Sequence, residues 1–308
     1  MAIPDFQSMM LTVLRSVEGR KVSGSRDVIS DVTAEFRLTP EEQSQLLPSK
    51  TQRVVDNRVY WCLVYLQRAG LLNRPARGQY EITAAGKTVL EKPPQRIDIK
   101  FLAQFESFRA FQALSKKKGA AVESDRVSEE HNVENLQNPV EELETSYAKL
   151  RASVCSELLT QARQLAPTGF ERLVVELLKR MGYGVDPSSV IHRGGVGDGG
   201  IDGEISQDPL GLDMIYVQAK RYQEGSGVGR PAIQQFVGSL NERKAKKGLF
   251  ITTSHFTDDA AEYVQRIDSR VILIDGERLA EQMFEHGLGV VLEHRFDVKK
   301  LDHDFFEE

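Results

Sequence analysis

Asp202, Gln218 and Lys220 are the side chains whose types and spacing are best suited to chemistry, within a stretch that runs from His192 to Lys220. It includes Gly194-Gly195-Val196-Gly197-Asp198-Gly199-Gly200-Ile201-Asp202-Gly203 and, after an interval, Tyr216-Val217-Gln218-Ala219-Lys220. In an extended strand alternate side chains share a face, so Gln218 and Lys220 project together while Val217 and Ala219 enter the opposite packing surface. If the segments Ile201 to Ile205 and Met214 to Lys220 pair as a hairpin, the Asp202 carboxylate reaches the same spot. A carboxylate, an amide oxygen and a backbone carbonyl form a set of hard oxygen ligands suited to Mg2+, with Mn2+ as a substitute. Such an ion polarises a phosphoryl group and lowers the pKa of a bound water. Lys220 would orient that water or stabilise charge developing on the phosphate. The chemistry this implies is phosphodiester hydrolysis.

Each of these residues also has a plainer role. Asp202 alone is a fit cap for a glycine turn, and Asp198, with glycine on both sides, reads as turn-forming. The glycine-rich stretch lacks the Gly-Lys-Ser/Thr ending of a phosphate-binding loop and does not open a helix, which argues against nucleotide hydrolysis. It either lets the backbone approach a DNA phosphate or is a simple surface turn. Glu171 stands three residues after Thr168, the place of the acid in a capping box. His192 has no Cys or His at metal-ligand spacing and reads as ordinary. Arg221 and Arg230 are near the chemistry and suit either the DNA backbone or plain solvent. Gln234 and Gln235 fall on the helix that follows, where an amide can position a water or a phosphate.

These residues need a folded frame, and the chain has material for two. Its 308 residues are about twice a usual domain, and 40% hydrophobic with 28% charged residues is ordinary globular composition. Lys and Arg number 40 against 45 Asp and Glu, a net charge of -5, which excludes a polycationic coat and confines any DNA contact to local patches. Cys62 and Cys155 lie far apart without a CxxC or Cys/His cluster, so neither a disulfide scaffold nor a structural zinc is indicated. No long apolar run and no basic-then-apolar leader is found, so the expectation is a cytoplasmic protein with no membrane partner.

Residues 1–92 read as a small helical domain ending in a ribbon. Two short helices fill 5–36, the second with Ser25 as its N-cap. A third runs from about Val54 to Ala69 with Val55, Val59, Cys62, Leu63 and Leu66 on one face. A turn-rich Asn73 to Gly78, the alternating Tyr80 to Thr83 and a last helix from Ala84 to Leu90 complete the pattern of a winged helix. From Lys50 to Arg77 the cations are Lys50, Arg53, Arg58, Arg68, Arg74 and Arg77 against Asp56 alone, a local charge of +5. Counterion release favours DNA binding at such a patch. Asn57 and Arg58 near the start of the third helix would read base edges, and Arg74 and Arg77 on the wing would hold phosphates or enter a minor groove. Tyr60 and Trp61 either pack the helix against the wing or stack on an extruded base.

Residues 93–137 form a connecting segment, with a short Phe-rich helix and then a linker from Ser115 to Gln137 poor in large apolar residues. Order returns at Asn138. Asn138-Pro139-Val140-Glu141 is a helix start, and Val140, Leu143, Tyr147, Leu150, Val154 and Leu158 continue as an apolar stripe. A helix from Thr168, then alternating strands and helices, make 138–308 an α/β domain with a mixed or mostly parallel sheet covered on both faces.

Asp202 followed by Gln218-Ala219-Lys220 resembles the D-(Q/E)xK motif of the PD-(D/E)xK nucleases. Gln in place of Glu and the Gly-Asp-Gly-Gly-Ile-Asp-Gly lead-in resemble the Mrr branch of type IV restriction endonucleases. The likeness extends to Asn57-Arg58-Val59 and Arg77-Gly78, Phe170-Glu171, Met181-Gly182-Tyr183-Gly184, Phe250-Ile251-Thr252-Thr253-Ser254 and Phe256-Thr257. It implies a winged helix joined to a restriction-endonuclease-like α/β sandwich, and cleavage of methylated double-stranded DNA with Mg2+. It also implies Asp202, Gln218 and Glu171 as metal ligands, although the neutral Gln218 brings less charge than the acid of the wider pattern. Cutting both strands calls for two active sites or sequential action, and a homo-oligomer is the expectation. Two other readings stay open: a DNA-binding regulator with an inactive nuclease fold, and a repair or junction nuclease that ignores methylation.

Overall fold

Alternation along Met214–Lys220 makes this segment the central strand of a five-stranded sheet. Ile215, Val217 and Ala219 point into one apolar layer and Tyr216 into the other. The computed structural model describes residues 3–119, 138–184, 190–192, 201–206, 213–299 and 305, with backbone only for 114–119 and 190–192. Its chain divides into two compact units, residues 149–297 and residues 1–148 with 298–308.

The rear unit contains strands β4 (Val190–His192), β5 (Gly203–Ser206), β6 (Met214–Lys220), β7 (Lys247–Thr252) and β8 (Arg270–Ile274), in the order β4-β5-β6-β7-β8. The first three run antiparallel and β6, β7 and β8 run parallel, the mixed sheet expected. One face is covered by α9 (Pro167–Arg180), by α12 (Gly276–Glu285) and by the end of α8 (Pro139–Gln164). Phe170, Val174, Leu177 and Leu178 repeat every three or four residues on α9 and meet Val217, Leu249 and Ile251. The other face carries α10 (Arg230–Glu242) and α11 (Asp258–Gln265), with Phe236 edge-on to Phe250 at 5.6 Å. Thr257 caps α11 and Asp275 caps α12, each accepting a backbone N–H three residues on.

The front unit has α1 (Phe6–Glu18), β1 (Ser23–Gly24), α2 (Ser25–Glu35), α3 (Pro40–Ser44), α4 (Val54–Arg68), β2 (Leu72–Ala76), β3 (Gln79–Ile82) and α5 (Ala84–Glu91). The three strands form an antiparallel sheet in the order β1-β3-β2, which completes the winged helix. Ser25 is the first helical residue of α2 and not its cap. Its N–H donates to Gly78 O at 2.8 Å, and the Asp27 carboxylate accepts the N–H of the actual cap, Gly24. Helix α3 went unforeseen although Thr39 and Glu42 form a full capping box, because its five residues carry no apolar stripe.

Helices α6 (Ile99–Leu102) and α7 (Glu106–Gly119) follow, so the Lys116-Lys117-Lys118 run continues a helix. Of the expected linker, 120–137 lies outside the described residues. Asn138 is buried and its Oδ1 accepts the N–H groups of Val140 and Glu141, the predicted start of α8. The division between the units falls eleven residues later, inside α8, between Ala148 and Lys149. Leu158 is buried as its stripe predicts, whereas Leu143, Tyr147 and Leu150 are exposed.

Candidate active site

Strand β5 pairs with β6 in the register Gly203–Val217, and Asp202 N–H donates to Val217 O at 2.9 Å just before it. This places Asp202 across from Gln218, as the hairpin argument required. One Asp202 oxygen accepts the N–H of Ala219 at 2.7 Å, which fixes the carboxylate between the two other motif positions. Asp202, Gln218, Ala219 and Lys220 line one cleft of about 440 Å³ together with Pro167 and Glu171 near the start of α9, Arg221 and Tyr222 after β6, and Gln235 from α10.

Helix α9 begins at Pro167 with Ala166 as its N-cap and no side-chain cap bond, so Thr168 and Glu171 do not form the capping box that their spacing allows. Pro at the first helical position sets the start instead. Glu171 is left facing the cleft. Burial pushes the Asp202 carboxyl up to about 6; the N–H of Ala219 lowers it, the charge of Glu171 raises it and that of Lys220 lowers it.

Gln218 is 2% exposed, and among the described residues its Oε1 has no hydrogen-bond partner. A buried amide oxygen left without a partner costs roughly 1–3 kcal/mol, a cost that a hard cation beside it would remove. The carboxylates of Asp202 and Glu171 supply the charge. Among the described residues no three His, Cys, Asp or Glu side chains cluster. This donor set fits Mg2+, which keeps several of its waters and binds through one or two carboxylates.

Arg221 also faces the cleft, with NH1 bonded to Arg163 O at 2.8 Å and Nε unpartnered among the described residues. Arg230, at the start of α10, lies over the Tyr263 ring at 5.0 Å and contacts Asp259; it does not line the cleft. Gln235 does, and Gln234 does not. Asp198 and the glycines at 194–200 lie outside the described residues, as does the side chain of His192. Tyr222 lies beyond the end of β6, where strand alternation gives no signal, and sequence reasoning missed it.

The front unit corrects two expectations. Arg58 is turned inward: its Nε and NH2 hold the Glu141 carboxylate at 2.7 and 3.3 Å, and NH1 donates to Ile3 O and Pro4 O. Asn57 is buried and donates to Gln52 Oε1 at 3.2 Å. Neither is presented to base edges, because they lie on the packed side of α4. The outward side carries Arg53, Tyr60 and Gln67. Trp61 packs against the core, with its ring 5.7 Å from that of Tyr65 on the same helix, while Tyr60 is exposed. On the wing Arg77 is exposed and Arg74 half-buried.

The family model described as "Restriction endonuclease" matches residues 162–283, and that of the Mrr N-terminal domain matches residues 6–92. The chain is 36% identical over 313 residues to the "Type IV methyl-directed restriction enzyme EcoKMrr" of Escherichia coli (strain K12), covering 100% of both. The chain belongs to the Mrr family of restriction endonucleases. The family's nuclease segment holds every residue that lines the cleft, from Pro167 to Gln235. Its N-terminal segment coincides with the winged helix. Solved structures are more distant. The DNA modification-dependent restriction endonuclease AspBHI is 16% identical with a TM-score of 0.37, covering 69% of this chain and 53% of that one. The MspJI restriction endonuclease in complex with a 27-mer oligonucleotide is 19% identical with a TM-score of 0.27, covering 66% and 42%.

Proposed function

We propose that this chain is a Mg2+-dependent, modification-dependent DNA endonuclease whose nuclease segment hydrolyses the backbone of methylated duplexes found by the winged helix. The observation that carries this reading is the convergence of Asp202, Glu171, Gln218 and Lys220 on one cleft, with a buried amide oxygen lacking a partner. Asp202, Gln218 and Glu171 would hold the ion. When bound, it supplies Lewis-acid polarisation of the scissile phosphate and an acidified water.

The chain's own residues do the rest. The N–H of Ala219 keeps the Asp202 carboxylate aimed into the cleft. Lys220, on the same face of β6 as Gln218, stabilises negative charge growing on the phosphate oxygens and orients the attacking water. Arg221 holds the DNA backbone beside it. Gln235 donates its amide to a phosphate oxygen or the water from the α10 side.

On the front unit, Arg74 and Arg77 hold phosphates, and the outward side of α4, with Arg53 and Tyr60, faces the groove. The methyl-directed activity named for the Escherichia coli relative supports methylated DNA as the substrate. Two strands need two active sites or sequential action; with two sites the working form is a homo-oligomer, in the cytoplasm where the DNA is. Among the described residues no helix is long and apolar enough to cross a membrane.

The test is digestion of matched plasmids, each carrying one kind of methylation or none, with Mg2+, Mn2+ or EDTA. Cutting confined to a methylated plasmid and to the metal-containing reactions is the expected result. Equal cutting of all plasmids supports the repair or junction nuclease, and binding without any cutting supports the inactive regulator.

A further inference from the structure

The parallel ladder between β6 and β7 ends at the pair Lys220–Thr252. Arg221 and Tyr222, the next residues and both in the cleft wall, therefore have no strand to hold them. Thr253 supplies the anchor. Its Oγ1 accepts the N–H of Tyr222 at 2.9 Å and donates to the carbonyl of the same residue at 2.8 Å. One side-chain oxygen thus satisfies both backbone groups of Tyr222, as a neighbouring strand would. Thr253 is fully buried and does not itself line the cleft.

Its surroundings make the anchor stiff. The Thr253 carbonyl accepts from Arg163 Nε at 3.1 Å, and the carbonyl of Arg163 accepts from Arg221 NH1 at 2.8 Å. Ser254 Oγ donates to Ser226 O at 2.7 Å, tying down the far end of the same loop. A Cβ on Gly276 would come within 2.6 Å of Thr253 O, so the backbone of α12 backs the residue closely.

We infer that Thr253 is a positioning residue for the nuclease reaction: by pinning Tyr222 it fixes the chain leaving Lys220, and so the aim of the Lys220 ammonium and the Arg221 guanidinium. The inference rests on the proposed role of Lys220. The hydroxyl is the agent, since a methyl in its place would leave both Tyr222 groups without partners and let the loop shift. A displacement on the order of 1 Å at a reacting group lowers a rate by about a hundredfold.

The test compares Thr253→Val, Thr253→Ser and Lys220→Ala with wild type, in the full-length chain on a methylated duplex with Mg2+. Single-turnover rate, KM and gel-shift affinity are measured. Thr253→Val should lose about a hundredfold in kcat with KM and affinity within about twofold of wild type, and Thr253→Ser should recover most of the rate. A Thr253→Val enzyme as fast as wild type, a Thr253→Ser enzyme as slow as Thr253→Val, or a loss appearing only in KM each overturns the inference. A merely structural threonine would not separate kcat from KM. Should Thr253→Val not fold, amide exchange on the wild type still decides. The Tyr222 N–H should be protected like those of β6, and free exchange overturns the anchor. Wild type that does not cut, or Lys220→Ala that does, overturns the proposed function instead and leaves the exchange result to stand or fall separately.

Discussion

Asp202 and Ala219 are joined by a 2.7 Å hydrogen bond from the Ala219 N–H to an oxygen of a carboxyl group that burial makes reluctant to ionise. The bond orients the carboxylate, and burial charges a cost for keeping it ionised. A cation bound there as proposed would remove that cost.

Asp202→Asn should therefore abolish cleavage and yet stabilise the metal-free protein. The native carboxyl, at about 6, lies above its ordinary value of 3.8, so ionisation weakens the fold as pH rises between these values. Above pH 6 the full cost is present, and below pH 4 it is absent. The gain for the amide at pH 8 is about 1–2 kcal/mol after allowance for solvent screening. Thermal unfolding in EDTA from pH 4 to 8 checks this; a variant less stable than wild type at pH 8 contradicts it.

Arg58→Ala should act on stability and not on base reading. Its guanidinium satisfies the buried Glu141 carboxylate and two backbone carbonyls. Removing one partner of a buried pair costs about 3 kcal/mol. Denaturant melts check it. A variant with wild-type stability and weakened DNA binding would return Arg58 to the recognition surface.

Arg77→Ala should weaken DNA binding uniformly across sequences, since this exposed wing residue is proposed to hold a phosphate. The slope of log affinity against log salt should fall by about 1. An unchanged slope with altered sequence preference would make it a base reader.

What was legible in the sequence follows from range. Gln218, Lys220 and their apolar neighbours obey a two-residue period, so strand, face and hairpin partner were all readable. Helix α9 was readable from its stripe, but its first turn depended on choosing Pro167 over Thr168, and that choice decided whether Glu171 capped the helix or faced the cleft. The roles of Arg58 and Thr253 had no local signal. Their partners lie 83 and 31 residues away in the chain, and only folding brings them together. Asn57 misled for a related reason: three residues before Tyr60, it shares a helix with the outward side but belongs to the packed one.

Lys220→Ala tests the central claim most directly, with cleavage of a methylated duplex and gel-shift affinity measured on the same preparation. In the proposed mechanism the lysine serves the reaction and not the docking, so the predicted result is cleavage reduced by at least about a hundredfold with affinity within about twofold of wild type. Cleavage at the wild-type rate would contradict the account and remove Lys220 from the mechanism.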